Sequence, residues 1–277
     1  MQPWHLTLSS TTRHALFPSE SLRREAVRAV VRVCGDELVQ FCIVDEHVHV
    51  VVLCDRRRCG YLGRALKLAL APIAAVPMQP VYTGTIHGRN HMEEVHRYVL
   101  QQPAHHNLTG HPALWSGSCF LDLAGARWIP GLELRLQDVL PRVTLAKSCG
   151  HLCLPISHLG LAGQEEIRAL GPKVLVAASA SACTAAPELL GRRAETARAR
   201  RAACVLARGA GIPTSEMSWA LAIHPGSVRK LAGQAVEPEA LDAVRRLVTL
   251  EQVVRLAPPF QLPDKSRGGR RGPVRAR

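Results

Sequence analysis

The stretch from Phe41 to Leu53, FCIVDEHVHVVVL, constrains this chain more than any other, because it sets two histidines on one face of an apolar strand. Side chains alternate across a β-strand, so His47 and His49 point one way while Val48 and Val50 point the other. Two imidazoles beside the run Val50 to Val52 need polar partners once they are buried. A metal ion is the first candidate, since neutral imidazole is a common metal ligand. The same spacing arises by chance in a chain with 13 histidines, so the pair alone leaves a metal site and a satisfied core pair both open.

The flanking sequence alternates strand and helix. Trp4 to Leu8 predicts a strand, followed by a polar turn over Ser9 to Arg13. Leu22, Ala26, Val27, Val30 and Val33 recur at helical spacing between Ser19 and Cys34, with Ser19 or Ser21 as N-cap and Gly35 as the stop. Leu38 to Val44 and His47 to Cys54 are two strands joined by the turn Asp45-Glu46. A helix is expected over Tyr61 to Ala75, bounded by Gly60 and broken around Pro72 and Pro77. Val81 to His87 is a fourth strand, Gly88-Arg89-Asn90 a turn, and His91 to Gln102 a helix ended by Pro103. This order predicts an α+β protein whose first domain is a ferredoxin-like split βαβ, an arrangement that does not fix function.

Tyr98 and Gln102 lie four apart on the last of these helices and share a face. If that face covers the histidine strand, Gln102 offers an amide oxygen as a third ligand beside His47 and His49, and Tyr98 a phenol beside the ion. A tyrosine phenol titrates near pH 10, so it attacks only an already polarised electrophile. A divalent ion on a phosphodiester oxygen supplies that polarisation. The plain alternative makes Tyr98 a packing residue and Gln102 a helix C-terminal cap.

The formal charge of +13 and pI of 9.9 favour a phosphate-rich partner, with an arginine-rich coding bias as the plain alternative. Aromatic content of 4% argues against a sheet that reads bases chiefly by stacking. Nine cysteines without a Cys-x-x-Cys pair, no apolar leader and no membrane-length apolar run place the chain in a reducing cytoplasm with no membrane partner. Cys149, His151 and Cys153 are half of a zinc pattern whose second half is not evident nearby.

His47-Val48-His49 on a strand, followed by a tyrosine helix after the fourth strand, resembles the HUH single-tyrosine transposases, in particular the REP-associated tyrosine transposases. The family's Tyr-Ile-x-x-Asn-Pro corresponds to Tyr98-Val99-Leu100-Gln101-Gln102-Pro103, and its Trp-Ser-Ser to Trp115-Ser116-Gly117-Ser118. The resemblance covers residues 4 to 125. It implies that Tyr98 attacks a single-stranded DNA phosphate, leaving a 5′-phosphotyrosine and a free 3′-hydroxyl. It further implies Mg²⁺ or Mn²⁺ held by His47, His49 and Gln102, a hairpin-bearing DNA substrate, and a homodimer. The chain departs from the pattern where Asp45-Glu46 replaces Pro-Asn, where Gln102 replaces Asn, and where Ala104-His105-His106-Asn107 lacks the usual arginine. His105 and His106 are the candidates to replace that arginine's grip. These departures keep an inactive, domesticated hairpin- or duplex-binding descendant open as the alternative, and a replication or conjugation nickase as a third reading.

Beyond Gly125 the chain is punctuated by Pro and Gly up to Leu190. Leu132 to Leu140 and Glu165 to Leu170 are expected helical, Val174 to Thr184 is a small-residue apolar segment, and no function is assigned to any of them. Arg192, Arg193, Arg198, Arg200 and Arg201, set among alanines, predict a basic helix to Arg208. Thr214 to Ala222, capped by Thr214 or Ser215, the turn His224-Pro225-Gly226, and Ser227 to Gln234 have helix-turn-helix spacing. This part is similar to the DNA-binding C-terminal domain of the bacterial replication initiator DnaA; a bland three-helix bundle is the alternative. The resemblance implies duplex DNA contacts from Ser227, Arg229 and Lys230, with Arg200 and Arg201 adding phosphate grip. Leu241 to Leu256 is a further amphipathic helix. The expected division is a transposase domain over 1–125, a helical connector over 126–190, a helix-turn-helix domain over 191–257, and a disordered basic tail over 258–277.

Overall fold

In the computed structural model, which describes residues 1–262, the opening alternation forms strand β1, Gln2–Ser9, with Trp4, Leu6 and Leu8 buried on one face. From position 263 onward the expected basic tail lies outside the described residues. Helix α1, Glu20–Cys34, starts where the Ser19 hydroxyl accepts the Leu22 N–H, and stops at Gly35, whose φ of 48° suits glycine. Strands β2, Leu38–Ile43, and β3, His47–Cys54, pair antiparallel across Asp45-Glu46.

Helix α2, Arg56–Leu70, begins five residues before the expected Tyr61. The Asp55 carboxylate accepts the Arg58 N–H at 2.8 Å, and this cap sets the start while the helix runs through Gly60. Strand β4 is only Tyr82–Thr85. Helix α3, Gly88–His105, absorbs Gly88-Arg89-Asn90, expected as a turn, and passes the expected stop at Pro103. A proline this late removes one donor, and the end stays bonded because the His106 and Leu108 N–H groups reach the Gln102 and Pro103 carbonyls.

The strand order is β2-β3-β1-β4 with every neighbouring pair antiparallel, the order that the β-α-β-β-α-β reading predicts. The two sheet faces have separate tasks. Leu6, Leu8, Val48, Val50 and Val52 pack under α1 and α2. Val51 and Leu53 pack with Met92, Val95 and Val99 of α3, which therefore covers the histidine face.

After α3 the segment Trp115 to Cys119 lies along β2. The Ile43 N–H donates to the Gly117 carbonyl at 2.9 Å, and Trp115 Nε1–H donates to the Ile43 carbonyl at 2.7 Å. A Cβ on Gly117 would sit 2.3 Å from that Ile43 oxygen, so only glycine fits. Gly117→Ala is expected to cost roughly 1–3 kcal/mol, read as a lower denaturant midpoint at unchanged slope. An unchanged midpoint would contradict this packing.

A polar lock also ties α3 to the sheet. His96 is fully buried, with Nδ1 2.7 Å from Gln40 Oε1 on β2 and Nε2 3.0 Å from the Ser148 hydroxyl. Burial pushes its pKa down to about 3, with His151 and Lys147 adding to the effect. The unfolded chain, titrating near 6.5, therefore takes up the proton first as pH falls. The stabilising contribution is complete above pH 6.5 and is lost as pH drops toward 3. Acidification from pH 6.5 to 5 is expected to cost roughly 2 kcal/mol from this residue alone. Denaturant titrations should find that His96→Gln reduces the slope of stability against pH in that window by about 1.4 kcal/mol per unit. A slope that does not change would show that the fold does not lower the His96 pKa.

Short helices α4, Phe120–Leu123, α5, Leu136–Val139, and α6, Leu145–His151, follow, so the helix expected over Leu132 to Leu140 shrinks to one turn. Helix α7, Gln164–Ala182, joins two segments that the sequence reading kept apart, across a break at Gly171 with φ 77°. It packs on α8, Ala194–Gly209, on α9, Thr214–Leu221, and on α11, Pro238–Leu256. Neither Thr214 nor Ser215 caps α9; Pro213 precedes it without a side-chain cap. Helix α10, Pro225–Ala232, takes in Pro225 and Gly226 because proline suits the first helical position and the His224 ring accepts the Gly226 N–H at 3.0 Å.

Candidate functional site

Strand β3 carries His47 and His49 onto the face under α3, and α3 delivers Tyr98 and Gln102 to them. The Tyr98 ring stands edge-on to His49 with centroids 5.6 Å apart, and His47 stacks on His49 at 5.9 Å. Gln102 is buried and donates through Nε2 to the Tyr98 carbonyl at 3.4 Å. The four residues chosen by spacing therefore meet. Tyr98 is 44% exposed, so its phenol is reachable from solvent.

Three further imidazoles complete the ring of groups around this phenol. His5 Nε2 lies 3.1 Å from His49 Nδ1, and the His5 ring is 6.5 Å from that of Tyr98. His105 packs 5.8 Å from Tyr98, and His106 packs 5.2 Å from His47. The sequence reading did not single out His5. Alternation places it opposite Trp4 and Leu6, but only the observed pairing of β1 with β3, which sets Thr7 against His49, brings His5 to this face of the site.

Burial dominates the electrostatics. It drives the His49 pKa well below the usual range, with His5, His47 and His106 adding to the shift. It pushes His5 down to about 4, helped by His91. His47 is lowered by burial and by His106, against the opposing pull of Glu46. At neutral pH these three rings are uncharged, and each retains a lone pair.

The donor set suits a divalent ion. His47 Nδ1 is buried without a hydrogen-bond partner, an unmet demand next to His49 and the Gln102 amide. Among the described residues no three His, Cys, Asp or Glu side chains gather to hold a metal, so the protein ligands on offer are two imidazoles and one amide oxygen. The half-pattern Cys149, His151, Cys153 forms no such group: Cys149 is buried, Cys153 is exposed, and His151 packs on His96.

On α10, Ser227, Arg229 and Lys230 are exposed while Val228 and Ala232 are buried. Helix α8 differs from an openly basic helix, because much of its charge is engaged within the fold. Arg198 pairs with Glu237 at 3.6 Å and covers the Trp128 ring at 4.7 Å, and just ahead of the helix Arg193 pairs with Glu25. Arg200 donates to the Gly191 carbonyl, and both Arg200 and Arg201 are half-buried rather than open to solvent. Among the described residues no helix is long and apolar enough to cross a membrane.

No family model matches the chain, and no curated protein matches it in sequence. A solved structure described as a REP-associated tyrosine transposase bound to a REP hairpin is similar to it, with 18% identity, coverage of 49% of this chain and 87% of that one, and a TM-score of 0.38.

Proposed function

We propose that this chain is a metal-dependent transposase-type strand transferase that cleaves and rejoins single-stranded DNA through a 5′-phosphotyrosine on Tyr98. The observation that carries this reading is the solvent-reachable Tyr98 phenol standing edge-on to the buried, neutral His49, with His47 and Gln102 beside it. As the Tyr98 oxygen bonds to phosphorus, the phenol loses its proton. The bond from phosphorus to the 3′ oxygen breaks, and that oxygen leaves as a hydroxyl after taking up a proton. Attack by another 3′-hydroxyl reverses the step and rejoins the strand, so no nucleotide cofactor is consumed.

His47, His49 and Gln102 would hold Mg²⁺ or Mn²⁺, and such an ion would supply charge neutralisation for the phosphate. Gln102 is held for this by its buried position and its bond to the Tyr98 carbonyl. His5 fixes the ring of His49 through the 3.1 Å contact. His105 and His106 border the phenol and His47, where imidazole N–H groups suit a phosphate. In the same reading Ser227, Arg229 and Lys230 contact duplex DNA, Arg200 and Arg201 add only what their half-buried side chains leave free, and the working form is a homodimer.

The test is incubation with labelled hairpin-bearing single-stranded DNA from beside the chain's own gene, resolved on a denaturing gel. A covalent protein–DNA band that forms with Mg²⁺ or Mn²⁺ and disappears with chelator is expected. No band with either ion, together with tight hairpin binding, would replace this reading by a DNA-binding protein without catalysis. That second reading has one feature in its favour: Asp45 and Glu46 place two anionic residues in the turn directly before His47.

A further inference from the structure

Helix α2 lies across the sheet from Tyr98, since its buried residues Leu62, Leu66 and Leu70 pack with Val48, Val50 and Val52 on the face that the histidines do not share. Its outer face is unusual in charge. Arg56, Arg57 and Arg58 fill the first turn, with no acidic residue among them, at the end where the helix dipole is already positive. The Asp55 cap is the helix's one carboxylate at that end, and it is spent on the Arg58 N–H. Arg58 is neutralised by Glu37 at 2.6 Å, but Arg56, Arg57 and Arg64 are exposed and form no ion pair among the described residues. Together with Gly60 and Tyr61 these three line an open concavity of about 680 Å³. The Tyr61 ring is 61% exposed, and the Arg58 guanidinium sits 5.1 Å from its centre.

We propose that this face of α2 is a second nucleic-acid site, holding the phosphodiester backbone of a single DNA strand on Arg56, Arg57 and Arg64 with a base stacked on Tyr61. Charge complementarity selects the occupant. The unpaired arginines call for a polyanion, while an exposed tyrosine among them matches the combination of basic track and stacking platform that single strands use. A duplex keeps its bases stacked internally and gains nothing from Tyr61. In and beside α8, by contrast, Arg193, Arg198 and Arg200 are engaged by Glu25, Glu237 and a backbone oxygen.

The test measures equilibrium binding of the full chain to a fluorescent unstructured oligothymidine and to a duplex of equal length, across a salt series. Binding requires no cleavage, so the outcome is independent of the Tyr98 reading. Arg57→Gln/Arg64→Gln is compared with Arg142→Gln/Arg255→Gln, which removes the same charge from exposed positions elsewhere. The α2 pair is expected to flatten the slope of log K against log salt for the oligothymidine by about 1.4 more than the control pair. Tyr61→Ala is expected to weaken oligothymidine binding roughly tenfold and leave duplex binding unchanged. Equal effects from the two arginine pairs would overturn the site. Equal losses on oligothymidine and duplex in Tyr61→Ala would overturn the single-strand assignment.

Discussion

Replacing Tyr98 by phenylalanine is expected to remove all covalent protein–DNA product while leaving the fold and hairpin binding intact. The ring contacts with His49 at 5.6 Å and His105 at 5.8 Å belong to the aromatic ring, which phenylalanine keeps. The Tyr98 side chain is 44% exposed, so water can replace the lost hydroxyl, and the stability change is expected to stay within about 0.5 kcal/mol. The nucleophilic oxygen disappears completely, and the imidazoles around it cannot supply a tyrosyl ester. Denaturing gels and denaturant titration of the same preparation check both halves. Residual adduct in the variant would assign the nucleophile elsewhere.

Asp122→Ala carries the largest expected loss of stability. Arg127 is buried, and its guanidinium pairs with the buried Asp122, donating from Nε to Oδ1 at 2.8 Å. The same group donates to the Ser116 and Ser118 carbonyls at 2.6 and 2.8 Å and lies 5.5 Å from the centre of the Phe41 ring. Removing the carboxylate leaves a cation without its counter-charge in the interior, at a cost of about 3–5 kcal/mol. Because this network fastens the Trp115 to Cys119 segment along β2, and β2 pairs with β3, the damage reaches the strand that carries His47 and His49. Asp122→Asn keeps the shape and an acceptor oxygen and costs less. A midpoint shift worth under about 1 kcal/mol in Asp122→Ala would contradict the assignment of Arg127 as a paired buried charge.

The parts of the fold legible in the sequence are those set by local signals. Ser19 and Gly35 delimit α1, and the alternation through Asp45-Glu46 sets the β2–β3 hairpin and the facing of His47 and His49. Errors arose where two local signals competed. Gly60 and Pro103 read as helix boundaries, but the Asp55 cap and the bonded turn after Pro103 outweigh them. Gly171 with Pro172 likewise hid the continuity of α7. Non-local facts were not legible at all. His5 reaches the site only through the β1–β3 register, His96 finds Gln40 and Ser148 from distant segments, and the arginines in and beside α8 meet Glu237 and Glu25 only after folding. Composition gave the excess of positive charge, but not that its unpaired share includes the outer face of α2.

The most direct test of the central claim is peptide mapping of the nuclease-trimmed protein–DNA adduct by mass spectrometry. The chain has three tyrosines, and exposure does not separate them: Tyr61, Tyr82 and Tyr98 are 61%, 56% and 44% exposed. Tyr82 even shares the histidine face, paired with Thr7 across β1 and β4. Only Tyr98 has its ring against His49 and beside Gln102. The account predicts the residual nucleotide on the peptide containing Tyr98, formed only with the divalent ion. A nucleotide on Tyr61 or Tyr82, or an adduct that forms equally in chelator, would contradict it.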